Sequence, residues 1–399
     1  MSRKVRLALL LPGLMLLLFT SGCWSSKEIE DLSVYVGLGI DVAKETEFEK
    51  SVNEQGGHYP KRNNITATVQ IVPKGSSKEE SQQGSPGAGK SYFNEQLTGD
   101  SVIQIFRQFS LRRDRPLIGH HLKVIVVSSE VARKFRLDQL LDFVLRDNDI
   151  RPSCLVVVSD RRALDALTSN DPSEIPSFYL TGLVDNVYRT NKILPPVSLA
   201  KLDATMQSGS SYLLQNVISY EGEHKFSGAA IFSGKTNRWI GSLNQTDMEG
   251  LSWVQGKAKG GVVKTYTHKD GSTITYEIKH IKSKIIPTVK GDDITFHVQI
   301  ESDGWFMENW TAPEAHGSEH YLDGLEKDFG HMAEQQVDQL LHKMQDVYKV
   351  DAAGFGDKLR IKYPRVWKKI KNNWDETFSE IPITYDIKVK ITNQGSSTE

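Results

Sequence analysis

The sequence predicts an α+β protein of more than one domain, in which a mixed α/β N-terminal region is followed by an antiparallel sheet covered by long helices. Three observations carry that prediction. From Leu122 to Thr168, compact apolar runs alternate with segments whose apolar residues recur at three and four positions, a strand, helix, strand, helix order. Val262 to His268 and Thr273 to His280 are alternating runs joined through Lys269-Asp270-Gly271, which is the pattern of a β-hairpin. Leu322, Leu325, Phe329, Met332, Val337, Leu340, Leu341, Met344 and Val347 mark one face of a long helix over 318–350. No heptad is sustained there, so that helix is placed across the sheet and not in a coiled coil.

Taken in order, the chain opens on the three parts of a secretory signal: basic residues Arg3, Lys4 and Arg6, an apolar run of 13 residues from Leu7 to Phe19, and the small residues Ser21 and Gly22 before Cys23. The run is too short to span a bilayer unaided, and Pro12-Gly13 interrupts it. A small-small-Cys ending resembles the lipobox of bacterial lipoproteins, in which the cysteine takes a diacylglyceryl group and becomes the first mature residue. Thr20 stands where that family usually has leucine. The competing reading is an ordinary cleaved signal followed by an unrelated cysteine, but free thiols are scarce in exported chains. Two fatty-acyl chains, palmitate among the possibilities, would hold Cys23 in the membrane by roughly 20 kcal/mol at about 0.8 kcal/mol per buried methylene.

After a polar leader, Val34, Val36, Leu38, Ile40 and Val42 alternate as a half-buried strand, and Ile65, Ala67, Val69 and Ile71 repeat the pattern. Between them, and again from Pro73 to Lys90, Gly, Ser, Lys, Glu and Gln mark loops. Val102, Ile105, Phe106 and Phe109 form one face of a helix over 100–112, capped by Asp100 or Ser101. Leu122 to Val127 is a strand, Leu137 to Leu145 a helix, Ser153 to Val158 a second strand, and 160–168 a second helix. A further helix is expected around Leu180 to Tyr188. The polar, glycine-bearing stretch from Met206 to Glu223 is read as the boundary between an N-terminal region, 23–205, and a C-terminal domain, 224–393. Strands at Gly228 to Ser233 and Arg238 to Leu243 open the second half. Ile281 to Val289 pairs with Ile294 to Ile300, Pro364 starts another helix, and Ile383 to Ile391 closes the domain.

Composition narrows the function. The chain carries 49 basic and 50 acidic groups, and removal of residues 1–22 leaves a small acidic excess, a balance that points to neither nucleic acid nor an anionic surface as partner. Of the two cysteines, Cys154 sits in an apolar strand and reads as a packed, inert thiol, so no intramolecular disulfide is expected beside a lipidated Cys23.

Several motifs mimic chemistry. Gly84-Ser-Pro-Gly-Ala-Gly89-Lys90-Ser91 satisfies the P-loop pattern, but a working P-loop needs a buried strand entering the glycines, and Ser76 to Gln83 is polar. His316-Gly-Ser-Glu319-His320 matches an inverted zinc-protease pattern, which requires both histidines one turn apart on a helix. Pro313 and Gly317 argue against that, with Ser318 reading as the helix cap. His120-His121 precede a strand and read as structural. The bases in Lys362 to Lys371 fall opposite the Val366, Ile370, Trp374 stripe, on a solvated face. No catalytic, cofactor or metal residue is assigned, and the protein is read as a non-enzyme.

Gly22-Cys23-Trp24, Val36-Gly-Leu-Gly-Ile-Asp41, Gly119-His120 and Leu140-Leu-Asp-Phe-Val-Leu-Arg-Asp147 appear in an order that resembles the GerAC-like, or Ger(x)C, family of spore germination receptor C-subunit lipoproteins. The tail continues it with Asp351, Gly354-Phe-Gly356, Tyr363-Pro364, Trp367 and Asn373-Trp374. The resemblance covers nearly the whole mature chain, and the polar insert with the P-loop pattern fits it least. It implies two subdomains in the N-terminal part, which periodicity does not show. It further implies a subunit on the outer face of the spore inner membrane that works with a membrane-embedded A subunit and a permease-like B subunit. A substrate-binding lipoprotein of an uptake system is the alternative, although such proteins usually show two α/β lobes about a cleft.

Overall fold

The computed structural model describes residues 32–62, 64–73, 90–267, 271–310 and 319–393. Cys23, residues 84–89 of the P-loop pattern and His316 lie outside them.

The first half is one broad sheet. Strand β1 (Ser33–Val42) is followed by helix α1 (Glu47–Glu54), β2 (Ile65–Ile71), β3 (Phe93–Gly99), α2 (Val102–Phe109), the two-residue β4 (Leu117–Ile118) and β5 (Val124–Ser128). Next come α3 (Ser129–Lys134), α4 (Leu137–Leu140), α5 (Asp142–Arg146), β6 (Leu155–Ser159), α6 (Ala163–Ala166), α7 (Pro176–Val184) and α8 (Leu199–Ser208). Strands β7 (Tyr212–Tyr220), β8 (Glu223–Phe232) and β9 (Trp239–Leu243) complete it. The order is β3-β2-β1-β5-β6-β7-β8-β9, with β4 beside β1. The central strands β1, β5, β6 and β7 run parallel, and both outer pairs are antiparallel.

The parallel centre is buried on both faces, as helical crossovers require. Ile125 and Val127 look into a core shared with Val102, Ile105 and Phe109 of α2 and with Leu199 and Leu202 of α8. Val124 and Val126 look the other way, onto Ala163, Ala166 and Leu180. Gly37 of β1 is where this second layer comes closest, since a Cβ there would meet Ser177 Oγ at 2.2 Å. Helix starts follow the local chemistry. Ser101 Oγ accepts from Gln104 N at 3.2 Å, which selects Ser101 as the α2 cap, and Thr46 with Glu49 forms a capping box on α1.

The second half begins with α9 (Gln245–Gln255), capped by an Asn244–Asp247 box. Strands β10 (Val262–Tyr266), β11 (Thr273–Lys290) and β12 (Asp293–Asn309) follow, then α10 (Glu319–His342) with a π turn at Lys343–Val347. Helices α11 (Phe355–Lys362), α12 (Pro364–Ile370) and α13 (Trp374–Phe378) lead into β13 (Ile383–Asn393). The sheet order is β10-β11-β12-β13. Phe329, Val337, Leu340 and Met344 of the long helical stretch pack on Tyr276, Ile278, Val298 and Ile300 of the sheet, so the helix does lie across it.

The structure departs from the sequence reading at several elements. The stretch 206–223, expected as a polar boundary, contains β7, and the strands after it, β8 and β9, pair onto the first sheet. The polar Gln215 is buried within β7. Its Oε1 accepts from Leu194 N at 2.8 Å and its Nε2 donates to Gly228 O at 2.8 Å, so a buried strand carries it without an unpaired group. Leu213, Ala229, Ile231 and Leu243 of these strands also pack into the core of the second half. The helix expected over 160–168 is the single turn α6, and Thr273 to Lys290 is one continuous strand, spanning about 60 Å at the usual rise. The C-terminal sheet is antiparallel through β10, β11 and β12, but its closing strand β13 pairs parallel to β12. The helical crossover between them brings the chain back to the same end, which forces that direction.

Candidate functional site

The tail residues from Asp351 to Trp374 fold into a knot against the first half. Asp351 is 7% exposed, and five N–H groups converge on its carboxylate. Ala353, Gly354 and Phe355 donate to Oδ1 at 3.2, 2.8 and 3.1 Å. Gly356 N and Trp374 Nε1 donate to Oδ2 at 2.6 and 2.9 Å. The side chain therefore seeds α11 from outside while tying it to α13. Glycine is needed at 356 because a Cβ would meet Trp374 Nε1 at 2.6 Å and Trp367 at 2.9 Å. Burial pushes the Asp351 carboxyl above the usual carboxylate range, and the donors from Gly356, Trp374, Phe355 and Gly354 pull it back. A carboxylate so filled has no acceptor capacity left for a substrate proton, and its part is to hold the loop.

Asp375 joins the knot to the first sheet. Its Oδ1 accepts from Asp351 N at 3.1 Å, and its Oδ2 accepts from Ser211 Oγ at 2.6 Å. Ser211, just before β7, accepts in turn from Gly234 N at 2.9 Å. A second buried link runs between α9 and α10, where Trp253 Nε1 donates to Gln336 Oε1 at 2.8 Å and Gln336 Nε2 to Glu249 Oε2 at 2.8 Å.

Beside the knot lies an open cleft of about 700 Å³, bounded by α8 and the 194–213 segment on one side and by residues 351–360 and Trp367 on the other. Lys201, Lys257 and Arg360 stand on its walls with the hydroxyls of Thr205, Ser208 and Ser210. Arg360 is paired with Asp357 at 3.2 Å. Partial burial, with Lys201 and Lys358 close by, holds the Lys257 ammonium below the ordinary lysine range. Off the same walls opens a void of about 30 Å³ against Asn191, which is 4% exposed and whose Nδ2 and Oδ1 have no hydrogen-bond partner among the described residues.

The other candidate residues are scattered. Lys90 donates to Ser169 O at 3.2 Å, and strand β3, not a phosphate-binding helix, follows Ser91. His320 is exposed in the first turn of α10, and His120 is exposed with Nε2 3.6 Å from Asp149. Cys154 is 2% exposed, and burial raises its thiol to about 12. At the carboxyl ends of the parallel strands, where open α/β sheets commonly take ligands, Asp41 accepts from Ala163 N at 2.7 Å and Leu164 N at 3.2 Å. The family-like residues Asp41 and Asp351 thus do the same work, each closing a short helix. Among the described residues, no group of three or more His, Cys, Asp or Glu is placed to hold a metal, and no helix is long and apolar enough to cross a membrane.

Comparison with known proteins gives a consistent set of relatives. Residues 25–217 match the family described as spore germination protein N-terminal domain, and residues 227–395 match the family described as spore germination B3/GerAC like, C-terminal. The chain is 46% identical to spore germination protein YndF of Bacillus subtilis (strain 168) over 96% of its own length and 95% of that protein. It is 32% identical to spore germination protein B3 of the same organism over 96% of each chain. The crystal structure of the GerBC protein superposes with a TM-score of 0.61 at 29% identity, covering 89% of this chain and 97% of that one.

Proposed function

Because this chain belongs to the GerAC-like family of spore germination proteins, we propose that it is a non-enzymatic lipoprotein subunit of a nutrient germinant receptor. Acylated Cys23 anchors it to the outer face of the spore inner membrane, where it works with the A and B membrane subunits. The observation that carries this reading is similarity along almost the whole chain to proteins named for spore germination. The signal-like residues 1–22 ending at Cys23 support the anchor, since a lipid on that residue would hold a body with no spanning helix among its described residues. The buried carboxylates Asp41 and Asp351 are occupied by backbone donors, an arrangement suited to holding a rigid body for its partners and not to proton transfer.

The test is Cys23→Ala in the native spore. Loss of the protein from the inner-membrane fraction together with slowed nutrient germination is the expected result. Normal retention and normal germination would overturn the anchor, and mass spectrometry of the wild-type N-terminus reads acylation directly.

A further inference from the structure

The cleft between α8 and the Asp351 knot has features that a purely structural seam does not need. Lys201 and Lys257 line it with no carboxylate hydrogen-bonded to either among the described residues, Lys358 lies near Lys257, and Asp357, which also lines the cleft and acts on Lys257, is paired with Arg360. Like charges held together in a concave wall raise the local positive potential and favour an anion there. Ser210 adds a neutral donor on the α8 side, the Thr205 and Ser208 hydroxyls already donating to Lys201 O and Thr205 O at 2.8 Å each, and Trp367 adds an aromatic wall opposite. Independently, Asn191 keeps both its amide atoms unpartnered at a void that shares Leu194, Pro195, Gln255 and Lys257 with the cleft. A buried amide left without partners costs free energy that a bound polar group, or water held beneath it, recovers.

We propose that this cleft is a binding site for a small oxyanion, a carboxylate or a phosphate, with Lys257 and Lys201 on the charged group and Asn191 on a polar atom at the inner end. The cleft joins elements of both halves, so an occupant would brace the first sheet against the tail helices. The site does not rest on the lipid anchor. A chain that fails the Cys23 test still carries the cleft.

The experiment is isothermal titration calorimetry on the full chain in detergent micelles, with inorganic phosphate and succinate as probes and ionic strength held with chloride. Saturable binding of one equivalent is expected for at least one probe, and which probe binds identifies the ligand class. Lys257→Gln weakens that binding about tenfold or more, as removal of a charge-assisted contact does. Lys134→Gln, at an exposed lysine that ends α3, leaves it unchanged. Lys257 is a surface residue whose ammonium alone is partly covered by the cleft, so its variant keeps the fold, which its melting temperature verifies. Absence of saturable heat with both probes overturns the proposal, as does equal affinity in the wild-type and Lys257→Gln proteins.

Discussion

Trp374 Nε1 donates to Asp351 Oδ2 at 2.9 Å, and this contact across 23 residues locks the turn before α11 to the start of α13. The indole also lies edge-on to Trp367, with centroids 5.1 Å apart, and to Phe296 at 6.3 Å. Trp374→Phe keeps an aromatic ring in that cluster and removes the donor. Hydrogen bonds to charged groups contribute about 1.5–3 kcal/mol, so the variant should unfold in urea with a stability loss of about 2 kcal/mol. Asp351→Ala, which strands five N–H donors, should cost more than Trp374→Phe. Equal stability of Trp374→Phe and wild type would show that the hydrogen bond contributes nothing.

The link from Ser211 to Asp375 predicts coupling between the two halves. Ser211→Ala leaves both Gly234 N and Asp375 Oδ2 short of a partner, a cost of about 1–3 kcal/mol. A double-mutant cycle with Asp375→Asn, followed by urea unfolding, should return an interaction energy of about 1 kcal/mol or more. Strict additivity would mean that the bridge is idle.

How legible these features were in the sequence depends on the kind of signal each residue leaves. Long periodic stretches such as the α10 face, and the Asp-Gly hairpin, were plain because burial repeats along them. Asp351 stands out only through family resemblance, and Trp374 otherwise only as the end of an apolar stripe, since a lone aspartate followed by glycines does not reveal that its carboxylate turns back on four amides and an indole. Ser211 and Asp375 left no signal at all, because their pairing depends on how the halves meet. Lys201 and Lys257 were invisible as a cluster for the same reason, being 56 positions apart in the chain. The sequence reading contains no helix at α1, α8 or α9, although the capping box of Asn244 with Asp247 marks the start of α9. The strand β7 was lost because Gln215 and Asn216 look like loop residues until their hydrogen bonds are seen.

Cys154 should resist modification in the folded protein. Its thiol is buried, and burial pushes it up to about 12, so the reactive thiolate is scarce at pH 8. Iodoacetamide should label Cys154 in denaturant and leave it unlabelled in native buffer over the same time. Rapid native labelling would show that the layer over Cys154 opens readily.

Glu49 sets the acid sensitivity of the first sheet's outer edge. Its side chain is 4% exposed, Oε1 accepts from Thr98 N at 2.8 Å and from Lys61 Nζ at 3.1 Å, and Oε2 accepts from Thr46 N at 3.1 Å. Burial alone would raise its carboxyl, but these donors outweigh it and hold the group below its ordinary value of 4.5. With the folded value below the unfolded one, the unfolded chain binds the extra proton first. The stabilisation is complete above the unfolded value and is lost as pH falls through the folded one. Glu49→Gln removes this linkage, so it should be less stable than wild type at pH 7 and should lose less stability than wild type between pH 6 and pH 3. Chemical denaturation at a series of pH values measures both curves. Parallel curves would show that Glu49 is not protonated differently in the folded and unfolded chains, and that the strand edge owes its acid response to other carboxylates.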